Sequence, residues 1–346
     1  MIVATLRDLQ WRARRFVIAG LGASMVFALT LVLAGLQSSF STESVRVVDS
    51  VGADSWLVQK GVESVFSTVS LVPDARATEV KGVVRADPIA VSHHSIRFGR
   101  QLLDVSLIGY APGGLGTPEL VEGRLPIKDG ELVADRALGA RIGKGFVLAG
   151  KPFQVVGRTS RLTMNAGQAV LFARLQDVHT LLTHGQPVSS AIVTKGVPTA
   201  VPAGLALRSK EQTRQDLLRP LVGAIASIKA MLVLLWVVAA MVIGSVVYLS
   251  ALERRRDFAV YKATGWSTRS LAVGLASQAI LLSTTASLLG VVLAQLMLPL
   301  FPMNFEVPTL ARELLPVVGL LVGLLASAAG LRKAVGVEPA LAFGGP

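Results

Sequence analysis

The sequence contains no cysteine among its 346 residues. Disulfide bonds, thiolate zinc sites, iron–sulfur clusters, thiol nucleophiles and cysteine-linked lipid anchors are therefore excluded. Histidine is also scarce, with 4 residues. The adjacent pair His93 and His94 has no ligand spacing around it, so we interpret it as a turn or surface pair and not as a metal site. His179 and His184 are interpreted as surface or packing residues.

A phosphate-binding loop of the G-x-x-x-x-G-K-[ST] type is absent as well. Residues 113–116 lack the lysine, and residues 143–145 lack the preceding glycine spacing. The sequence also has no G-x-S-x-G motif, and no Ser/His/Asp set can be proposed from spacing. We therefore predict a protein that is not an enzyme, with no catalytic, cofactor-binding or metal-binding residues. Any ATP and Mg²⁺ would be bound by another chain.

Charged residues make up only 16% of the sequence, and they are absent from four long apolar stretches. A bilayer's hydrocarbon core takes about 20 residues of helix, so each stretch can span it. Without an ionisable residue near the centre of any stretch, a proton or sodium relay has no groups to use, which argues against a secondary transporter. The stretches are 16–36, 230–252, 271–301 and 314–331.

The formal net charge is +12, and basic residues are concentrated beside the apolar stretches. Segment 1–15 has four arginines against one aspartate, 253–270 has five basic residues against two acidic ones, and 332–346 has two against one. By the positive-inside rule, both termini and the 253–270 loop are predicted to be cytoplasmic and the region after the first span to be external. We interpret the basic balance as orientation and contact with anionic membrane lipid, with no nucleic-acid binding.

The region between the first two apolar stretches shows short strand patterns separated by turn clusters, which predicts a mixed α/β domain. Residues 45–48 and 105–108 are among the predicted strands, and 131–142 and 175–183 are predicted helices. Pro220 is expected to bend, or to begin, a helical stalk that continues into the second span.

The predicted fold class is an α+β membrane protein with four transmembrane helices in a 1 + 3 layout. A large mixed α/β extracytoplasmic domain is inserted between helices 1 and 2, and the first helix is expected to be uncleaved. The predicted segments are a cytoplasmic amphipathic helix (1–15), the first span (16–36), the extracytoplasmic domain (37–207), the stalk helix (208–229), the second span (230–252), a cytoplasmic coupling helix and turn (253–270), the third span (271–298), a short external loop (299–313), the fourth span (314–331) and a cytoplasmic tail (332–346).

Small residues four apart let membrane helices approach closely. Gly20 and Ser24 have this spacing in the first span, and Ala240 and Gly244 have it in the second. These pairs predict a packing seam, which could lie within the chain or between two copies.

The loop between the second and third spans reads L-E-R-R-R-D-F-A-V-Y-K-A-T-G-W-S over residues 252–267. Its composition predicts a short charged helix that Gly265 ends in the left-handed conformation, with Ser267 or Thr268 capping the next helix. Apolar side chains combined with arginines favour docking into a groove of a partner protein. The apolar members are Phe258, Val260 and Tyr261.

This loop resembles the E-R-R-x-E-[IF]-A-[IVL]-x-[KR]-A-x-G segment of FtsX/MacB-type (type VII) ABC transporter permeases, with Asp257 in place of the commoner glutamate. Other parts of the chain resemble the external domain and the closing x-P-x-x-A-L element of that family. Those parts are 121–125, 130–134, 142–145, 153–157 and 337–343.

The resemblance implies the permease subunit of an ABC transporter in a bacterial cytoplasmic membrane, dimerised with a second permease copy in a homodimer or heterodimer. Two copies of a separate cytoplasmic ATPase would pass ATP-driven motion through the spans to the external domain, which is mechanotransmission. The task would be export or extraction of a lipid, lipoprotein, peptide or drug, with a possible role for an external adaptor or lipoprotein. The residues implied to contact the ATPase are Glu253, Arg254, Arg255, Arg256, Asp257, Phe258, Lys262 and Gly265.

Two other functions fit the same sequence. One is an FtsX-like signal relay that regulates an extracytoplasmic hydrolase or a sensor. The other is a membrane-tethered binding protein without ATP coupling, for which the loop at 252–267 should tolerate scrambling. The substrate stays open at this point.

Overall fold

The computed structural model describes residues 13–63, 65–66, 68–165, 167–298 and 307–335. The chain divides into two compact units. We call Met1–Ser38 with Ala224–Pro346 the helical unit, and Ser39–Gly223 the α/β unit. The predicted amphipathic helix at 1–15, much of the external loop at 299–313 and the tail at 332–346 lie largely outside the described residues.

Long helices dominate the described part of the helical unit, and strands dominate that of the α/β unit. The helices are α1 (Ala13–Ser50), α2 (Leu175–Leu182), α3 (Lys210–Leu218), α4 (Val222–Glu253), α5 (Arg255–Ala263), α6 (Thr268–Met297) and α7 (Thr309–Val335). The strands are β1 (Ser55–Gln59), β2 (Val72–Pro73), β3 (Arg85–Phe98), β4 (Gln101–Tyr110), β5 (Glu122–Gly123), β6 (Glu131–Asp135), β7 (Gly145–Leu148), β8 (Lys151–Thr159), β9 (Thr163–Met164), β10 (Gln168–Arg174), β11 (Val188–Ser189), β12 (Ala191–Lys195) and β13 (Leu205–Ser209).

Three helical stretches among the described residues are long and apolar enough to cross a membrane: Phe16–Ser50, Lys210–Glu253 and Thr268–Met297. They contain the first three predicted spans. The fourth predicted span lies in α7, which begins at Thr309 and carries Pro316 inside it. The helix begins before the predicted start of the fourth span at 314, and its crossing of the membrane stays a prediction.

The predicted stalk is helical, and its proline lies where the helix changes type. After α3, the segment Arg219–Leu221 forms a single 3₁₀ turn with Pro220 near its start, and α4 follows directly. Proline lacks an N–H group, so it is tolerated in the first turn of a helix. The second predicted span is thus the continuation of the stalk.

The small residues of α1 pack against α6 of the same chain. A Cβ added to Gly290 of α6 would lie 2.7 Å from the Cβ of Phe27 and 3.1 Å from the carbonyl oxygen of Ser24. Gly20 has Leu282 as its neighbour, with the corresponding distance at 3.5 Å. The predicted packing seam is therefore present on α1, and it lies within the chain.

A mixed sheet of eleven strands forms the described part of the α/β unit, in the order β13-β1-β12-β3-β4-β10-β6-β8-β5. β7 pairs with β8, β9 pairs with β10, and β11 with β2 forms a separate two-stranded sheet. The pairs β4–β10 and β6–β8 are parallel, whereas the other pairs are antiparallel. A mixed sheet of this kind agrees with the predicted fold class.

Both faces of the sheet are covered. On one face, Val47 and Val48 of α1 and Leu217 of α3 belong to the same apolar core as Trp56 and Phe172. On the other face, α2 packs so closely that a Cβ on Gly109 would lie 2.7 Å from Val178. Burial on both faces explains why β6 and the centre of β10 are buried throughout.

The predictions for residues 45–48 and 131–142 were wrong. Residues 45–48 are the end of α1 and not a strand, because the packing of their valines on the sheet overrides the strand preference of β-branched residues. Residues 131–142 are not a helix: 131–135 form strand β6 and 136–138 form one 3₁₀ turn. Glu131 and Asp135, the acidic residues at the two ends of β6, gave the segment a polar pattern that resembles a helix. In the structure, specific hydrogen bonds hold both carboxylates.

Candidate functional site: the helix between the second and third spans

Helix α5 is joined to α4 and α6 by tight turns. The Phe258 N–H donates to the carbonyl of Arg254 at 2.9 Å, in the first turn of α5. At the other end, Gly265 has a φ of +92° and its N–H donates to the carbonyl of Lys262 at 3.1 Å. Ser267 then caps α6, because its hydroxyl accepts from the N–H of Ser270 at 3.3 Å. The predicted helix, glycine stop and serine cap are therefore confirmed.

The inner side of α5 is anchored in the core of the helical unit. Phe258 is 2% exposed and packs with buried residues of α4 and α6, such as Val247 and Leu275. The guanidinium carbon of Arg254 lies 5.5 Å from the centroid of the Phe258 ring. Arg254 also pairs with Asp257, with Nε 3.7 Å from Oδ2. These contacts fix both the position of the helix and its rotation about its own axis.

The predicted contact residues thus separate by exposure into three sets, apart from Arg255, whose side chain lies outside what the structure describes. Glu253, Arg256, Asp257 and Gly265 are exposed, whereas Arg254 and Lys262 are half-buried. Phe258 is buried, and its contacts lie within the core of the helical unit. We call the exposed set together with Val260 the outer face of α5.

Two exposed apolar side chains lie on or beside this surface, and the predicted contact set contains neither of them. Val260 is 50% exposed, and Trp266 in the following turn is 41% exposed with its ring centroid 5.8 Å from that of Tyr261. The signal for Val260 was in the sequence, because it follows Phe258 by two residues. At about 100° per residue, that spacing places Val260 roughly opposite the buried phenyl ring. The outer face therefore combines both signs of charge with apolar area.

In the α/β unit, the segment at 121–131 is held by an ion pair. Arg124 donates to both carboxylate oxygens of Glu131, at 2.7 and 2.5 Å, and the N–H groups of Ile127 and Lys128 donate to the same carboxylate. The hydrogen bonds from Arg124 lower the pKa of Glu131 to about 2, with the two backbone N–H groups adding to the effect. Gly123 precedes the arginine because a Cβ there would lie 2.4 Å from the carbonyl oxygen of Val156.

Asp135 has a structural role. It is 2% exposed, and its carboxylate accepts from the hydroxyl of Thr159 at 3.0 Å and from the N–H groups of Ala137 and Leu162 at 2.9 Å. A carboxylate with three donors is satisfied within the protein. It therefore ties together the ends of β6 and β8.

The fold brings together a serine, a histidine and an aspartate that are far apart in sequence. Nε2 of His179 lies 3.1 Å from the hydroxyl of Ser189 and 3.4 Å from Asp74, while Ser189 also donates to Asp74 at 2.5 Å. A hydrolytic triad places the serine and the acid on opposite imidazole nitrogens. Here both face the same nitrogen and Ser189 is 1% exposed, so the group is a structural tie.

The adjacent histidines are both engaged by neighbouring protein groups. His93 contacts the hydroxyl of Ser106 at 3.0 Å and the carbonyl of Phe66 at 2.6 Å, and His94 contacts Ser92 at 3.0 Å. Burial lowers the pKa of His94, and the neighbouring His93 lowers it further. Within the described ranges, no group of three metal-ligating side chains is found.

Comparison with known sequences identifies the family. The profile described as FtsX-like permease C-terminal matches residues 229–339, which include α5. An uncharacterized ABC transporter permease of Mycobacterium tuberculosis strain H37Rv is 41% identical over 352 residues, covering 100% of both chains. The chain belongs to the FtsX-like ABC transporter permeases. A second such permease of the same strain is 41% identical over 349 residues, again covering 100% of both chains.

Two solved external domains are also similar to part of the chain. The extracellular domain of the noncanonic ABC-type transporter YknZ from Gram-positive bacteria has a TM-score of 0.32 at 14% identity, covering 41% of this chain and 82% of that one. The periplasmic region of MacB from Actinobacillus actinomycetemcomitans has a TM-score of 0.35 at 14% identity, covering 49% and 94%.

Proposed function

We propose that this FtsX-like permease passes ATP-driven motion of a separate ATPase from the outer face of α5, through α4 and α6, to the α/β unit. The observation that carries the proposal is the construction of α5. It is pinned on one side by Phe258 in the core, and on the other side it presents Arg256, Asp257 and Val260 to a partner. A surface that is rigidly held and chemically mixed suits a specific protein contact.

In this proposal, the two working parts lie on opposite sides of the bilayer. The α/β unit lies between the first and second predicted spans, and α5 lies between the second and third. Since arginines are concentrated around α5, the positive-inside rule puts α5 in the cytoplasm and the α/β unit outside. In this arrangement, two ATPase copies and a second permease copy form the complex in a bacterial cytoplasmic membrane. The task that follows is export or extraction of a substrate on the external side.

The test is reversal of charge in α5. Changing Arg255 and Arg256 together to glutamate should reduce the ATPase recovered with the tagged chain from mild detergent by about tenfold, which corresponds to ~1.4 kcal/mol of lost contact energy. ATP turnover by the recovered complex should fall in parallel. The matched control is Arg100→Glu, which reverses an exposed arginine at the tip of the β3–β4 hairpin.

Equal recovery of the ATPase with the α5 variant and with the control would mean that α5 is not the contact. Mass spectrometry of the same preparations separates the remaining tasks. A co-purifying external hydrolase or sensor would favour signalling, and an adaptor or lipoprotein would favour transport. Recovery of the permease without any ATPase would contradict ATP coupling.

A further inference from the structure

A glutamine interrupts the apolar side of α6 that packs inside the helical unit. Leu271, Leu275 and Leu282 follow helical spacing on this side and are 1–4% exposed, and Gln278 lies between them at 1% exposed. A leucine in this position would cost nothing in desolvation, whereas a buried amide is unfavourable unless it is hydrogen-bonded. Burial of the Gln278 amide is therefore favourable only with a hydrogen-bond partner, and the position of that partner indicates the role of the side chain.

One hydrogen-bond partner of Gln278 lies on α4. The hydroxyl of Ser250, which is 2% exposed, donates to Oε1 of Gln278 at 3.4 Å. This hydrogen bond connects the helix that enters α5 with the helix that leaves it. In apolar surroundings such a bond also favours one relative position of the two helices, because sliding or rotation of either one would break it within the buried core.

This Ser250–Gln278 hydrogen bond, which we call the α4–α6 tie, lies in the same core that anchors α5. Ser250 is one turn before the end of α4, and its buried neighbours Val247 and Ala251 belong to the core that also contains Phe258. Residues of α4, α5 and α6 therefore pack in one core. The Phe258 ring joins α5 to this core, and the Ser250–Gln278 hydrogen bond joins α4 to α6.

We propose that Gln278, through its hydrogen bond with Ser250, is a positioning residue that makes α4, α5 and α6 move as one body when α5 is displaced. This inference rests on the proposed ATPase contact. Without the tie, force on α5 would be lost in sliding between α4 and α6. With the tie, the same force reaches both helices.

The first experiment measures coupling in the purified permease–ATPase complex. In Gln278→Leu, we expect the ATPase to be recovered at the parent level and the KM for ATP to be unchanged, while permease-dependent stimulation of kcat falls about three- to tenfold, the range expected for an interhelical hydrogen bond. The milder change Ser250→Ala should lower stimulation in the same direction. The double variant should be no worse than Gln278→Leu alone, because both changes remove the same bond.

The matched control is Thr285→Val on the same helix. Thr285 is exposed, and its hydroxyl bonds only to carbonyls of its own helix, Leu281 and Leu282, in the contacts that the structure gives. This variant removes a hydroxyl from α6 without touching the α4–α6 tie, so it should stimulate the ATPase like the parent.

The second experiment needs no ATPase and uses the absence of native cysteine. Cysteines introduced at Val260 on α5 and at Leu296 near the far end of α6, both exposed, would carry spin labels on the full chain in lipid nanodiscs. The distance distribution between the labels should be narrow in the parent and in Thr285→Val, and broader in Gln278→Leu and Ser250→Ala.

Each outcome decides a separate claim. Unchanged stimulation together with an unchanged distance distribution in Gln278→Leu would overturn the tie. Joint loss of protein yield, ATPase recovery and stimulation in both Gln278→Leu and Ser250→Ala would reduce the pair to a folding role and also overturn it. If the parent recovers no ATPase, the proposed function fails, and the label distances alone decide whether α4, α5 and α6 form one body.

Discussion

The helical unit and the α/β unit bury polar groups in different ways. In the α/β unit, buried carboxylates are held by several donors, as for Glu131 and Asp135. In the described part of the helical unit, the buried polar side chains are uncharged: Ser24, Thr30, Ser250, Gln278, Ser283 and Ser287. Buried charged groups are thus found in the α/β unit, where water is the solvent. Among the described residues of the helical unit, where lipid is the solvent, the buried polar side chains are small hydroxyls and one amide.

The hydroxyls of the helical unit mostly serve close packing. Ser24, Ser283 and Ser287 each donate to a carbonyl one turn back in their own helix. That bond satisfies the hydroxyl locally and leaves a small side chain against the neighbouring helix. Gly323 of α7 uses this space, since a Cβ there would lie 2.3 Å from the hydroxyl oxygen of Ser283. Lipid offers little hydrophobic driving force for helix association, so contact area gained by close approach replaces it.

The largest effect is expected from added volume in the helical unit. Gly290→Leu places a side chain against Phe27 and the backbone of Ser24, which cannot yield without moving α1. We expect a loss of about 3 kcal/mol in the free energy of unfolding, the upper end for overpacking. Thermal unfolding in detergent measures it.

The control for this change is Gly22→Leu on α1, where nothing lies within 4 Å of an added Cβ. Equal loss of stability in the two variants would show that close packing of α1 on α6 is not what holds the helical unit together.

A smaller loss of stability is expected in the α/β unit, from removal of a buried charge and not from added volume. Glu131→Gln removes the charge that Arg124 and two backbone N–H groups recognise, and should cost about 2 kcal/mol. Because the folded-state pKa of Glu131 is about 2 and the model-peptide value is 4.5, this contribution is present above pH 4.5 and is lost as the pH falls towards 2.

Fluorescence of the buried Trp56 reports unfolding of the α/β unit for this test. The parent should lose stability between pH 4.5 and 2 more steeply than Glu131→Gln does. The exposed carboxylate of Glu119 provides the control, as Glu119→Gln should leave the pH dependence unchanged. Parallel pH curves for the parent and Glu131→Gln would contradict the role assigned to the ion pair.

The smallest effect is expected from exposed charges of the α/β unit. Asp49 of α1 pairs with Lys210 at 2.9 Å and Arg214 at 2.5 Å on α3, but its side chain is 42% exposed. Solvent screens such pairs, so Asp49→Asn should cost less than about 1 kcal/mol. Urea unfolding of the two proteins measures the difference, and a loss as large as that of Glu131→Gln would show that exposure does not separate the two ion pairs.

Sequence patterns located the elements that depend on local chemistry. Of the four charge-free stretches, three lie largely in helices that are long and apolar enough to cross a membrane among the described residues. Gly265 and Ser267 marked the turn after α5 because backbone conformation and capping act over a few residues. The segment at 131–142 was wrongly predicted to be a helix. Its first five residues form strand β6, which is buried between β10 and β8, and a local sequence pattern does not show which strands will pair with it.

What the sequence determined by itself is the division into apolar spans and a polar insert, the position of α5 and the resemblance to the permease family. These follow from composition and from short-range rules. The tertiary structure decided that Phe258 faces the core while Val260 faces outwards, that α1 packs on Gly290, and that Ser250 meets Gln278. Such contacts join residues far apart in the chain, and which of them form depends on how whole helices pack, a choice that no local stretch of sequence encodes.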